Sequence, residues 1–202
     1  MLFFALLAGA AEAQETSASS IDRFAVSAGT IVNPKMGGPG LLFDLRTPPF
    51  LLAHTVGLHF RYQGERARGA VLPDVQALRA EAAYYVGSLP SFAEGAIYTF
   101  RLGADLTWSS RYAAPPNGSF LFAPEFGSDV SLQSGRSRFT ISDTISFSAT
   151  GASFEAGIGY GFELFSWLLM ATRVTSVTTV AWNGSSAVGF YPHLYVTVLL
   201  GR

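Results

Sequence analysis

The chain has 202 residues, and 13% of them are charged against a usual figure of about 25%, while aromatic residues reach 14% and the mean hydropathy is +0.31. The net charge of −1 excludes an electrostatic attraction to nucleic acid, and the lack of cysteine excludes disulfide frameworks and thiolate metal sites. No stretch of about 18 apolar residues follows the N-terminus, which excludes helical membrane spans as the source of the hydrophobicity.

The first 13 residues have the pattern of a secretory signal peptide. An apolar run from Leu2 to Ala11 leads into the small-x-small triplet Ala11-Glu12-Ala13, which is typical of a cleavage site. No Lys or Arg precedes the run, which departs from the usual signal. The sequence therefore predicts export by a signal peptide at 1–13, a short lead-in at 14–22 and one domain at 23–202.

From residue 23 onward, apolar and polar residues alternate in segments that are mostly about 10 to 14 residues long. The stretch SFEAGIGYGFEL, for example, places Phe154, Ile158, Tyr160 and Phe162 on one side. A period of two is that of a β-strand, and this length suits a strand that crosses a bilayer at a tilt. The predicted strands are 23–33, 40–46, 53–63, 76–87, 96–109, 120–133, 138–150, 153–164, 167–181 and 187–200. Eight strands are the alternative, if a weakly patterned early hairpin forms a loop or a plug.

The connections after odd-numbered strands are mostly longer and richer in Gly, Pro and polar residues than those after even-numbered strands. Outer-membrane barrels show the same alternation, with long loops outside and short turns in the periplasm. We therefore expect Arg66, Arg68 and Arg111 outside the cell, and Arg136 and both termini in the periplasm.

The polar sides of the ten segments indicate which way the sheet faces. They carry seven acids, six arginines and two histidines but no lysine. These residues are Asp44, Arg46, His59, Arg61, Arg79, Glu81, Arg101, Asp105, Glu125, Asp129, Arg138, Glu155, Glu163, Arg173 and His193. Arginine in place of lysine favours a crowded interior, because the planar guanidinium binds carboxylates bidentately. The sequence predicts a lumen largely filled by charge pairs, in which Gly157, Gly159 and Gly161 leave room for arginines from across the barrel.

Aromatic residues on the apolar sides indicate where the membrane surfaces lie. Tyr98 and Trp108 are ten positions apart on the same side of one predicted strand. A rise of about 3.3 Å per residue and a tilt of about 40° separate them by roughly 25 Å along the membrane normal, which is the height of the lipid band. Together with Trp182 at a strand's outer end, they are predicted to lie at the membrane interfaces.

With these features the chain resembles the small bacterial outer-membrane β-barrels over residues 23–200. The resemblance rests on the signal peptide, the hairpins, the inside-out alternation and the aromatic positions, and on no specific motif. It implies an up-and-down antiparallel transmembrane β-barrel in the bacterial outer membrane, surrounded by outer-membrane lipid and inserted by the barrel-assembly machinery. The chain ends YVTVLLGR, and so it departs from the terminal aromatic residue that is common in such proteins.

No motif of a known chemistry occurs in the sequence: there is no Gly-x-Ser-x-Gly nucleophile elbow and no zinc-binding histidine pair. His193 lies on a polar side, where we favour a hydrogen-bonded filler of the lumen over a general base. Glu125 and Asp129 are expected to form salt bridges, with Arg101 and Arg138, rather than to bind a cation. We therefore predict no catalytic, cofactor-binding or metal-binding residue.

One acid breaks the pattern, because Asp143 shares the parity of the apolar residues of its segment near the middle of a strand. A lone carboxylate facing lipid is unfavourable. Either a β-bulge turns Asp143 inward, which we favour, or the residue contacts another subunit.

The function that follows is a structural or surface-interaction role with little conductance, since ten strands enclose a lumen only modestly wider than the eight-stranded barrels that side chains just fill. The alternatives are an outer-membrane enzyme acting on lipid or peptide, a small-solute channel, and a soluble secreted barrel that binds a small hydrophobic ligand with its apolar sides inward.

Overall fold

The structure, a computed structural model, describes residues 23–34, 38–52, 55–66, 75–87, 96–109 and 120–200, which fold into ten antiparallel strands. These are β1 (Phe24–Val32), β2 (Pro39–Arg46), β3 (Val56–Glu65), β4 (Val75–Gly87), β5 (Ala96–Ser109), β6 (Phe120–Ser134), β7 (Ser137–Phe147), β8 (Gly151–Phe165), β9 (Leu168–Ala181) and β10 (Ser186–Leu200). Each strand pairs with its neighbours in sequence, and β1 also pairs with β10, so the sheet closes. The predicted ten-stranded up-and-down barrel is confirmed, and the eight-stranded alternative is wrong.

The predicted signal peptide at 1–13 and the lead-in at 14–22 lie outside the described residues, as do Arg68 and Arg111. In the ranges that are described, no helix is long and apolar enough to cross a membrane.

Large apolar side chains cover the outer face of the barrel. Leu102, Phe190 and Ile158 are 67%, 60% and 58% exposed, and side chains of this kind are exposed on strands all around the wall. Inward-facing polar residues are buried instead, among them Glu81 and Arg101. A continuous apolar surface of this size fits lipid and not water. The soluble ligand-binding barrel would need the opposite orientation of both faces, so the structure does not fit that alternative.

The largest differences from the predicted boundaries occur next to backbone turns, at the start of β3 and at the end of β7. The third strand begins at Val56, and the first two residues of its predicted range, 53 and 54, lie outside the described residues. Before this strand, Leu51 and Val56 form an isolated bridge, with Leu52 at a φ of 46°. The seventh strand ends at Phe147, because the amide of Ser148 already donates to the carbonyl of Gly151 across a turn, at 2.8 Å.

The bulge expected at Asp143 is absent, and the prediction that this side chain turns inward is wrong. Strand β7 pairs with β6 and with β8 in an unbroken register, and Ser142 and Thr144 on either side of Asp143 are buried in the lumen. Asp143 consequently stays on the outer face, where the hydroxyl of Ser128 on β6 donates to its carboxylate. The two register irregularities in the described ladders lie elsewhere, at Tyr85/Gly87 and at Glu163/Phe165.

Candidate functional site

Arg79 on β4 occupies the centre of a charged cluster inside the barrel. Its Nε lies 3.0 Å from Glu125 Oε2, and its Nη2 lies 3.4 Å from Asp105 Oδ2. Its two terminal nitrogens donate to both carboxylate oxygens of Glu155, at 2.9 and 3.2 Å. Since Glu155 is on β8, this bidentate pair crosses the lumen and joins opposite walls of the barrel.

Arg101 on β5 forms a second cluster on one wall. Its Nε lies 2.7 Å from Asp129 Oδ2, and its Nη1 donates to Glu81 Oε1 at 2.5 Å. Its Nη2 donates to Thr144 Oγ1 at 3.0 Å and to the Asp143 carbonyl at 3.1 Å. Each nitrogen of the guanidinium therefore has an oxygen nearby, and the group ties β5 to β4, β6 and β7.

Asp44 on β2 and Glu81 on β4 hold the ring of His59 between them. His59 Nε2 lies 2.7 Å from Asp44 Oδ2, and Nδ1 lies 2.6 Å from Glu81 Oε2. Arg61 Nε donates to the same oxygen of Asp44 at 3.1 Å, and Arg46 Nε is 3.8 Å from its other oxygen. Both ring nitrogens of His59 are thus engaged with carboxylates, which links the Arg101 cluster to β2. The inward position of His59 follows from alternation, but its two partners do not.

Arg138 is not among the paired arginines, contrary to its predicted salt bridge with Glu125 or Asp129. Glu125 contacts Arg79 instead, and Gln133 lies between Arg138 and the carboxylate of Glu163. The Gln133 amide donates to Glu163 at 3.4 Å and accepts from Arg138 at 3.5 Å. No carboxylate oxygen of the described residues lies within 4.0 Å of Arg138.

Arg173 and His193, neighbours across β9 and β10, also lack a charged partner in the described ranges. Arg173 donates through Nη2 to Ser142 Oγ, while its Nε has no hydrogen-bond partner. His193 is only 8% exposed, and its Nε2 has no hydrogen-bond partner either. For the hydrogen-bonded filler that the sequence predicts at His193, the described residues provide no partner at this nitrogen.

Glycines make room for these guanidinium groups, but for arginines of adjacent strands and not from across the barrel as predicted. A Cβ at Gly157 would lie 2.7 Å from Arg173 Nε and 2.7 Å from Ser142 Oγ. At Gly127 it would lie 2.8 Å from Arg101 Nη2. Each arginine reaches over the glycine beside it to a residue one strand further on, which a side chain at that position would block.

Among the described residues, a cavity lies toward each end of the lumen. The turn-end cavity, on the side of the two-residue turns 135–136 and 166–167, has a volume of about 140 Å³, and the opposite cavity has a volume of about 170 Å³. Arginines outnumber carboxylates in the wall of the turn-end cavity, whereas carboxylates outnumber arginines in the wall of the opposite cavity. The turn-end cavity has Arg23, Arg46, Arg61, Arg101, Arg138 and Arg173 with Asp44 and Asp129, and the opposite cavity has Arg61 and Arg79 with Glu65, Asp105 and Glu155. Arg61 and His193 line both cavities and so lie between them.

Aromatic residues lie near both ends of the outer face. Tyr98 and Trp108 lie near opposite ends of β5, and the indole of Trp182, in the turn after β9, donates to the Ser148 carbonyl at 3.1 Å. The sequence analysis missed Trp167, which is 51% exposed at the turn end and stacks on Phe165 with 5.6 Å between ring centroids. Its position at the junction of two predicted strands was the available signal.

Sequence comparisons with known proteins identify no family. No protein-family model matches the chain, and no curated protein matches its sequence. A structure titled bacterial polysaccharide outer membrane secretin is 10% identical with a TM-score of 0.47, over 89% of this chain and 66% of that one. The outer membrane channel DcaP of Acinetobacter baumannii is 11% identical with a TM-score of 0.39, over 85% of this chain and 54% of that one. The KdgM porin in complex with disordered oligogalacturonate is 8% identical with a TM-score of 0.44, over 88% of this chain and 99% of that one. The chain thus spans less than two thirds of the length of the first two.

Proposed function

We propose that this protein is a bacterial outer-membrane barrel with a structural or surface-interaction role, and that its lumen conducts little. The apolar outer face supports a position in a bilayer, and closed barrels with such a face are the outer-membrane type. Its partners on this proposal are outer-membrane lipid and, during insertion, the barrel-assembly machinery. The proposal includes no enzymatic step, and both nitrogens of the buried His59 are already engaged with carboxylates.

The observation that carries the proposal is the pair between Arg79 and Glu155, which joins opposite walls at 2.9 and 3.2 Å. Ten strands enclose a narrow lumen, whereas open aqueous channels are typical of about 16 strands. A bidentate ion pair across so narrow a space leaves little width for hydrated ions. The small volumes of the two cavities, about 140 and 170 Å³, support the same interpretation.

Planar-bilayer recording of the refolded protein tests the proposal. We expect small and rare openings from the unmodified protein, and a higher leak from Glu155→Ala, because this variant removes the cross-lumen pair. Arg79 keeps Glu125 and Asp105, so the variant should lose about 1.5 to 3 kcal/mol of unfolding free energy, the contribution of hydrogen bonds to a charged group.

Glu163→Ala is the matched control, since this acid also faces the lumen but has no arginine of the described residues within 4.0 Å. It should change conductance and stability less than Glu155→Ala does. A large, steady conductance in the unmodified protein would refute the closed lumen and favour a small-solute channel.

A further inference from the structure

We propose that the turn-end cavity is a binding site for a small soluble oxyanion of the phosphate or carboxylate type, held by Arg46, Arg138 and Arg173. This inference goes beyond the structural role, and it holds whether or not the lumen conducts.

The wall of the turn-end cavity carries an excess of positive charge. Six arginines line the cavity against two carboxylates. Both carboxylates are already engaged: Asp44 contacts His59 and Arg61, and Asp129 contacts Arg101. Guanidinium groups without a counter-charge in a confined space are unfavourable, so the cavity favours an anion from solution.

Several donors in the cavity wall lack a strong acceptor among the described residues. In these ranges Arg173 Nε has no hydrogen-bond partner, Arg138 donates to an amide oxygen at 3.5 Å, and Arg46 Nε lies 3.8 Å from Asp44. His193 lines the same cavity, is only 8% exposed, and has an Nε2 without a hydrogen-bond partner. Because a guanidinium is a planar fork of donors, it matches the spacing of oxygens in phosphate and carboxylate groups.

The turn-end cavity also has the space for such an anion. Arg138 on β7 and Arg173 on β9 are separated by β8, which presents Gly159 and Gly161 to the cavity. At these two positions β8 therefore places no side chain between the two guanidinium groups. The cavity volume of about 140 Å³ is close to the roughly 150 Å³ of an engineered protein cavity that accepts benzene, so a five-atom oxyanion fits.

Isothermal titration calorimetry of the refolded full-length protein in zwitterionic micelles, with sodium phosphate as the probe, tests the site. We expect saturable binding that is absent when sodium chloride of equal ionic strength replaces phosphate, and competition by sodium acetate. A second set of micelles containing an anionic phospholipid separates a free ion from a lipid phosphate. If the phosphate affinity is unchanged in these micelles, the ligand is a soluble anion. If the anionic phospholipid abolishes phosphate binding, the proposal that the ligand is soluble is overturned.

Arg138→Gln removes one positive charge from the cavity wall. Arg136→Gln is the matched control, because it removes the same charge from an exposed residue in the turn before β7 that does not line the cavity. We expect Arg138→Gln to weaken phosphate binding about tenfold or more, as for the loss of a charge-assisted hydrogen bond, and Arg136→Gln to change it less than about twofold. Equal effects of the two variants, or no phosphate-specific binding by the unmodified protein, overturn the site. Should Arg138→Gln not refold, phosphorus NMR line broadening with the unmodified protein decides between binding and none.

Discussion

Among single residues, Asp143 is in the least favourable surroundings, because it faces lipid near the middle of a strand. A carboxylate in the apolar band costs free energy, although less than Arg or Lys does at the same depth. The hydroxyl of Ser128 satisfies part of its hydrogen-bonding capacity. Ala156, which is paired with Asp143 on the adjacent strand β8, is small and exposed. With the bulge excluded, contact with a second subunit through this face is the remaining prediction from the sequence.

Asp143→Leu tests that contact. We expect the variant to lose any oligomer that the unmodified protein forms in mild detergent, because the polar contact between subunits is removed, as measured by multi-angle light scattering. Ile141→Leu, on the same face and strand, is the control and should leave the mass unchanged. An Asp143→Leu barrel of higher stability and unchanged mass would show a tolerated lipid-facing acid.

At the scale of the strand, alternation predicts the elements well, because the two faces of this wall see lipid and lumen along nearly their whole length. The predicted 96–109 coincides with β5, and the predicted 120–133 falls one residue short of β6. Alternation cannot show where a turn begins inside an apolar or polar run, which is why β3 and β7 differ from their predicted ends.

The ion pairs were less predictable than the strands. The alternation along a strand predicts that an acid or an arginine faces the lumen. Which ion-pair partner it meets depends on the stagger between strands and on which residues of the adjacent strands are glycine. Glu125 contacts Arg79 two strands away, while the intervening β5 presents Gly103 opposite Glu125. The pattern within single strands predicts neither the stagger between strands nor a contact that passes over an intervening strand.

Gly157→Ala tests the dependence of the wall on an inward glycine. The new Cβ would meet Arg173 and Ser142 at 2.7 Å, so we expect the hydrogen bond between them to be lost, together with about 1 to 3 kcal/mol of unfolding free energy. Gly159→Ala is the matched control, since its nearest neighbour would be a carbonyl oxygen at 3.3 Å. Urea unfolding followed by tryptophan fluorescence measures both, and equal midpoints for the two variants would contradict the steric role.

At the scale of the whole molecule, the even number of strands puts the described chain ends, Arg23 and Leu200, at the turn end of the barrel. Arg136 lies at this end, and Arg66, which follows β3, lies at the other. That the turn end faces the periplasm and the other end the cell exterior stays a prediction from the lengths of the connections. Arg68 and Arg111, predicted outside the cell, lie in connections beyond the described residues.

Two variants in a chain without natural cysteine test this orientation: Ala149→Cys in the turn between β7 and β8, and Ser166→Cys in the turn between β8 and β9. Both positions are exposed, so the two thiols differ mainly in the end of the barrel at which they lie. We expect an impermeant thiol reagent on intact cells to label the first and not the second, because the turn end should face the periplasm. Labelling of Ser166→Cys alone would reverse the orientation. Equal labelling only after cell lysis would contradict an outer-membrane position.

The pairing of β2 with β3 is the shortest ladder in the wall, since it runs only from Leu41 to Arg46 on the β2 side. A lateral opening of the barrel toward the bilayer would therefore meet the fewest backbone hydrogen bonds at this seam. Asp44 and Arg61 face each other directly across it, and His59 also contacts Asp44. Parting the two strands would separate these charges and bring them toward hydrocarbon, where an unpaired ion is most unfavourable. The electrostatic contacts of Asp44 thus oppose lateral gating where the hydrogen-bonded wall is thinnest.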